Sequence, residues 1–183
     1  MTLPLLTEWL PPNSDPDRPQ VILSTVSADG GADARTVLLT EFDDDGLYFH
    51  TDSRSRKVRD IAANPAVAMT FLWPNFTRQL VVQGVASIAP AFEQLAAFEA
   101  RSPYLKQLAW LNSPEFAQLP HGDRVAQWAA FPMAEHPDPP ATWIGFIVRP
   151  TRLTFWESNP DAASRREEYR LVDGAWSVSY LAG

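Results

Sequence analysis

The run from Ala66 to Ala89 constrains this chain most. Ala66 to Trp73 and Arg78 to Ala89 are both rich in β-branched and aromatic residues, and they flank the short loop Pro74-Asn75-Phe76. Side chains of that kind fit a pleated surface, so the two segments read as a long β-hairpin. Similar signals surround it. Gln20 to Val26 reads as a strand ahead of the turn Asp29-Gly30-Gly31, and Ala34 to Phe42 with Leu47 to Thr51 reads as a hairpin about Asp43-Asp44-Asp45-Gly46. Asp52 to Ala63 reads as a short amphipathic helix, with Val58, Ile61 and Ala62 at helical spacing and Asn64-Pro65 as its stop.

From Pro90 to Phe131 the period changes. Phe92, Leu95, Ala96 and Glu99, then Leu105, Leu108 and Leu111, then Val125, Trp128 and Ala129 mark successive helices, punctuated by Pro103, Pro114 and Pro120. After the stiff loop His136 to Pro140, the segments Thr142 to Arg149, Arg152 to Glu157, Glu168 to Val172 and Ala175 to Leu181 return to strand. Strands, a helical insert and further strands fit a mainly β fold, a closed or split antiparallel barrel with peripheral helices. The 183 residues suffice for one such domain, with an N-terminal arm over 1–19 and the insert over 90–131.

Composition narrows the function classes. A net charge of −7 and a pI near 4.9 argue against a broad basic field for nucleic acid or an anionic membrane surface. Any polyanion site must be local. The absence of cysteine excludes thiolate metal sites and cysteine nucleophiles, and it agrees with a reducing compartment, the cytoplasm by default. Met1 to Leu10 is interrupted by Glu8 and reads neither as a signal nor as an anchor. His50, His121 and His136 lack metal-ligand spacing, so no metal is expected. No Gly-x-Ser-x-Gly elbow supports a serine hydrolase, and the acidic stretch Glu41 to Asp45 reads as a solvated turn.

The sharpest local feature is Ser53-Arg54-Ser55-Arg56-Lys57 at the start of the short helix. A phosphate monoester carries roughly −1.5 to −2 charges near neutral pH, and a helix N-terminus with arginine beside it suits such a group. A solvated basic turn balancing nearby aspartates is the plain alternative. Arg35, opening the strand Arg35-Thr36-Val37-Leu38-Leu39-Thr40, is by itself an edge-strand arginine.

In order and spacing, Arg35-Thr36-Val37-Leu38-Leu39, Phe49-His50-Thr51, Ser55-Arg56-Lys57, Asn64-Pro65, Trp73-Pro74 and Arg78-Gln79 resemble the FMN-binding half of pyridoxamine 5′-phosphate oxidase. The likeness continues through Arg101, Ala109-Trp110, Trp143-Ile144-Gly145-Phe146, Phe155-Trp156, Arg166, Tyr169-Arg170 and Tyr180-Leu181-Ala182. It implies a homodimeric FMN-binding split barrel with the cofactor at the subunit interface. By this resemblance the strand holding Arg35, Thr36, Val37, Leu38 and Thr40 cradles flavin and phosphate, and His50, Thr51 and Ser55 lie beside the cofactor. Arg56 and Lys57 correspond to the main phosphate clamp, Gln79 and Trp156 to flavin contacts, and Arg166 to a late arginine that completes the site. The other tryptophans read as structural.

The substrate side departs from the family pattern. A lysine that helps bind substrate phosphate falls on Thr40, and the Arg-x-His pair that holds the pyridine ring falls on Ala162 and Ser164. The tyrosine and serine flanking the substrate-side arginine fall on Ala97 and Leu105, although Arg101 itself is kept, and Glu115-Phe116 stands nearest a lost Gln-Ser pair. The sequence therefore points to an FMN-dependent oxidoreductase whose small-molecule substrate is not a vitamin B6 phosphate. The alternative is a flavin-, deazaflavin- or haem-binding module without turnover.

Overall fold

The computed structural model describes residues 4–133 and 138–182, so His136 and Pro137 of the expected stiff loop lie outside the described residues. The strands are β1 (Gln20–Val26), β2 (Ala32–Leu38), β3 (Glu41–Phe42), β4 (Leu47–Asp52), β5 (Ala66–Leu72), β6 (Arg78–Ile88), β7 (Trp143–Glu157), β8 (Arg165–Val172) and β9 (Ala175–Leu181). The helices are α1 (Pro4–Trp9), α2 (Arg56–Ala63), α3 (Ala91–Glu99), α4 (Pro103–Leu111), α5 (Pro114–Ala117) and α6 (His121–Ala130). Contacts group the chain into two compact units: one holds the residues up to Phe49, Arg56–Ser87 and those from Phe146 on, the other His50–Ser55 with Ile88–Gly145. No helix among the described residues is long and apolar enough to cross a membrane.

The first unit is built on the sheet, whose order is β2-β1-β5-β6-β7-β4-β3 with β8 on β7 and β9 on β8. The period of two does what the sequence asks. Val21, Leu23 and Thr25 on β1, Val67, Met69 and Phe71 on β5, and Leu80 and Val82 on β6 are buried, while the intervening residues face outward. Thr36, Ile22, Thr70 and Val81 form one outward row across β2, β1, β5 and β6, and Ala34, Ser24, Ala68 and Gln83 form the next.

One expectation is corrected here. Ala34 to Phe42 is not a single strand facing Leu47 to Thr51: β2 pairs along its whole length with β1, and only β3 faces β4. Leu39 N still donates to Pro19 O at 2.9 Å on the β1 side, whereas Thr40 N donates to Tyr48 O at 2.8 Å on the β4 side. Consecutive residues thus belong to opposite ends of the strand order, which is possible only if the sheet curls until its ends meet. Alternation reports which residues share a face and is silent on which neighbour a strand will choose.

β7 is likewise one strand where two were expected, over 142–149 and 152–157. It continues through Pro150 because β6 offers Gly84 at that point: a Cβ there would lie 2.2 Å from Arg149 O and 3.0 Å from Pro150 Cα. The glycine permits the close approach, and beyond the proline Arg152 to Glu157 pair with β8. The N-terminal segment also does more than the sequence suggested. α1 buries Leu6 and Trp9, with Trp9 edge-on to Trp73 and Phe155 at 5.4 and 5.0 Å. Each such burial is worth about 1.5–3 kcal/mol before entropy is counted.

The second unit holds α3–α6. Pro103 and Pro114 sit in the first turn of α4 and α5, and Ser102 and Ser113 cap them by accepting from Leu105 N and Phe116 N. The buried side of α3 differs from the one suggested by Phe92 and Leu95. Those two are 77% and 45% exposed, and Glu93, Ala97 and Phe98 are buried in their place.

Candidate functional site

In the first unit, Arg35 on β2 reaches a cluster at the start of α2. Its Nη1 donates to Thr25 Oγ1 at 2.8 Å and to Leu23 O at 3.3 Å, and its Nη2 meets Asp33 Oδ2 at 2.5 Å and Asp60 Oδ2 at 3.5 Å. Asp60, buried on α2, also accepts from Thr25 Oγ1 at 2.7 Å. This links α2 to β1 and β2 and fixes the Arg35 guanidinium. Arg56, in the first turn of α2 and largely exposed, forms an ion pair through Nη2 with the same Asp33 Oδ2 at 2.6 Å. One carboxylate oxygen therefore receives two guanidinium groups. Burial pushes the Asp33 carboxyl up, but the hydrogen bond and charge of Arg35, with the charge of Arg56, outweigh it and hold the carboxyl below its ordinary value. Lys57 follows, half-buried, in the same turn.

The expected helix over Asp52 to Ala63 begins instead at Arg56, because Ser55 N donates to Asp52 O in a turn. Within the second unit that turn neutralises Arg54: it pairs with Asp52 at 2.7 Å and with Glu115 at 3.3 Å. Thr51 Oγ1 and Ser55 Oγ stand 3.5 Å apart. The basic pentapeptide is thus divided, with Arg54 spent on local carboxylates and Arg56 turned to Asp33.

Elsewhere in the first unit, Trp156 on β7 and Arg166 on β8 are direct register partners. Gln79, the second residue of β6, lies opposite Leu72 on β5. Along the sheet, β6 is three strand spacings from β2, roughly 14 Å at about 4.8 Å each. Phe76, with φ +55° beside Asn75 at +59°, holds a 69% exposed ring 4.9 Å from that of Trp156. Left-handed backbone at a bulky residue is costly and is found where something else fixes it. Thr40 lies between β2 and β3 with its hydroxyl on Tyr48 O at 3.2 Å, and Ala162 and Ser164 lie in the turn between β7 and β8.

The second unit contains a separate assembly around Trp143. The His50 ring, 7% exposed, stacks on the indole at 5.0 Å and 9°, and the Arg101 guanidinium carbon lies 4.3 Å from the indole centroid. Trp143 Nε1 donates to Gln94 O at 2.8 Å, while Gln94 Oε1 accepts from Gly145 N at 3.1 Å and its Nε2 donates to Ala89 O at 2.8 Å. Gly145 is required here, since a Cβ would stand 2.5 Å from His50 Nε2. Burial first, and the Arg101 charge second, push the His50 imidazole down to about 3. Burial lowers the Arg101 guanidinium to about 10.

The ordered sequence features find a counterpart in known proteins. The family profile described as pyridoxamine 5′-phosphate oxidase matches residues 15–157. The chain belongs to this family. It is 34% identical over 167 residues to the pyridoxine/pyridoxamine 5′-phosphate oxidase of Salinibacter ruber, a match covering 87% of this chain and 77% of that one. With the enzyme of the same name from Anaeromyxobacter dehalogenans it shares 36% over 172 residues, covering 90% and 85%. Among solved structures, PhzG from Burkholderia lata in complex with tetrahydrophenazine-1-carboxylic acid superposes with a TM-score of 0.81 at 23% identity, covering 91% of this chain and 83% of that one. A pyridoxamine 5′-phosphate oxidase-related, FMN-binding protein from Nostoc punctiforme gives 0.73 at 20%, covering 90% and 88%. The split barrel expected for this pyridoxamine 5′-phosphate oxidase homologue is the fold found.

Asp33, Asp60, Phe76 and Trp143 were not singled out as site residues from the sequence. Asp33 had a weak signal, as an acid two residues before Arg35 on the same strand face. The others are joined to their partners only by the folded chain.

Proposed function

We propose that the chain is an FMN-dependent oxidoreductase in which an organic substrate gives up a hydride to the bound flavin, and that this substrate is not pyridoxamine or pyridoxine 5′-phosphate. The observation that carries the reading is the convergence of Arg35 and Arg56 on one oxygen of Asp33. Asp33 Oδ2 is an anionic acceptor between two guanidiniums, one on a strand and one at a helix start, which is the donor set a phosphate monoester needs. The residues fit the group.

On this reading Arg35, Arg56 and Lys57 bind the FMN phosphate, and the backbone of Thr36 to Leu38 supports it. Gln79 and Trp156 bound the ring, and Arg166 holds the far side of Trp156's strand pair. When bound, FMN supplies the two-electron acceptor, with oxygen or another oxidant restoring it. The chain's own residues bind, orient and exclude water, and no side chain is given an acid or base role. Arg101 takes the substrate. Thr40, Ala162 and Ser164, where the family pattern carries charged or hydrogen-bonding groups, leave vitamin B6 phosphates poorly held. Two lost charge-assisted contacts of about 1.5–3 kcal/mol each would lower affinity by orders of magnitude.

A homodimer with the cofactor at its interface belongs to the same proposal. The outward alternate positions from Ala32 to Leu38, Gln20 to Val26, Ala66 to Leu72 and Gln79 to Val85 carry no charged residue. A solvated face of an acidic protein would carry several, so this face suits a second copy. Such pairing would also bring a partner's Gln79-Trp156 side toward β2, from which one chain's own Gln79 is three strands away. A cytoplasmic location belongs to the same proposal.

The test is flavin retention. Purified protein is expected to be yellow and to release FMN on denaturation, and Arg56→Ala with Lys57→Ala should lose it while folding normally. Retention unchanged in the double variant would overturn the phosphate assignment, and efficient oxidation of pyridoxine or pyridoxamine 5′-phosphate would overturn the substrate assignment.

A further inference from the structure

Arg101 is not explained by the packing of its own unit. It follows α3, its Nη1 makes one long contact of 3.4 Å to Leu105 O, and its Nε is sealed from solvent with no hydrogen-bond partner. The chain has 22 carboxylate side chains, yet among the described residues none forms an ion pair with Arg101. A largely desolvated guanidinium without a counter-ion is costly, and buried arginines are ordinarily paired. Structure has nonetheless been spent on holding it. Gln94 fixes the Trp143 indole, Gly145 makes room for His50, His50 stacks on the indole, and the indole carries Arg101.

We propose that Arg101, seated on the Trp143 face with His50 stacked on the same indole, is the recognition point for a single carboxylate group of the organic substrate. The inference rests on the oxidoreductase reading above and names its substrate class. Two features select a carboxylate over a phosphate monoester. A lone guanidinium matches the two oxygens and single charge of a carboxylate, whereas a phosphate dianion calls for more than one cation. His50 is kept neutral near pH 7 by burial and by Arg101 itself, so it adds no second positive charge, and Arg54 in the same unit is committed to Asp52 and Glu115. Trp143 and His50 are positioning residues: the indole face holds the cation, and the imidazole stacks on the indole.

Benzoate, benzamide and phenyl phosphate are the probes, titrated into full-length protein supplied with FMN and followed by calorimetry, with FMN retention measured separately. Benzoate should bind at least about tenfold more tightly than benzamide and more tightly than phenyl phosphate, a ratio in keeping with one charge-assisted contact. Arg101→Gln should abolish that ratio without releasing FMN. Trp143→Phe, which keeps an aromatic face, should preserve the benzoate-to-benzamide ratio, and Trp143→Leu should collapse it. A merely structural Trp143 would move melting temperature and leave the ratio alone. Absent benzoate binding, a preference for phenyl phosphate, or an unchanged ratio in Arg101→Gln would each overturn the inference while FMN retention stands. Protein that ignores FMN yet keeps the benzoate behaviour would overturn the oxidoreductase reading alone.

Discussion

Acidification should expose the cost of keeping His50 neutral. An unfolded histidine titrates near 6.5, and here burial, then the charge of Arg101, push the imidazole down to about 3. Between those values the unfolded chain takes up a proton that the native chain refuses, so stability is lost as pH falls below 6.5 and the loss saturates near 3. Each pH unit in that window is worth about 1.4 kcal/mol, which gives about 2–3 kcal/mol between pH 7.5 and 4.5. That is a large share of the roughly 5–15 kcal/mol stability of an ordinary domain. His50→Phe keeps an aromatic ring against Trp143 and removes the titration. Urea unfolding of both proteins at pH 7.5 and 4.5 isolates the effect, because the carboxylates common to both cancel in the double difference. Wild type should lose about 2–3 kcal/mol more than the variant over this interval. Equal losses would refute the reasoning and show that the imidazole is not desolvated in the native protein.

Gly84→Ala would put a Cβ 2.2 Å from Arg149 O, so the β6–β7 approach must open. A cost of about 3 kcal/mol is expected, read as a fall of roughly 6–12 °C in melting temperature. Asp60→Ala leaves the Thr25 hydroxyl without its acceptor at a buried site, while Arg35 keeps Asp33, and should cost about 1–3 kcal/mol in urea unfolding, with Asp60→Asn costing less because it can still accept from Thr25. Asp33→Asn removes the carboxylate that engages Arg35 and Arg56, so FMN should bind several-fold more tightly in a flavin-fluorescence titration. Weaker binding in that variant would mean that Asp33 orients Arg56 for the cofactor and does not compete with it.

Much of the fold was legible because local physics wrote it. Strand composition marked β1, β5 and β6, the helical spacing of Leu105, Leu108 and Leu111 marked α4, and the ordered weak motifs from Arg35 to Arg166 identified the family. The site was legible only as a set of residue types. A run such as Ser53 to Lys57 reports charge and does not say which acid will meet it: Arg54 was taken by Asp52 and Glu115, while Arg56 met Asp33.

By itself the sequence determined which segments alternate as strands, where the helical insert lies, and that cations gather ahead of α2. Those properties depend on neighbours a few positions away. Tertiary structure decided that 34–42 would split between the two ends of the sheet, that β7 would run on past Pro150, and that His50, Trp143 and Arg101 would share one stack. Partners distant along the chain are chosen by closure of the barrel and by close packing, and a pattern of period two or 3.6 carries no information about that choice.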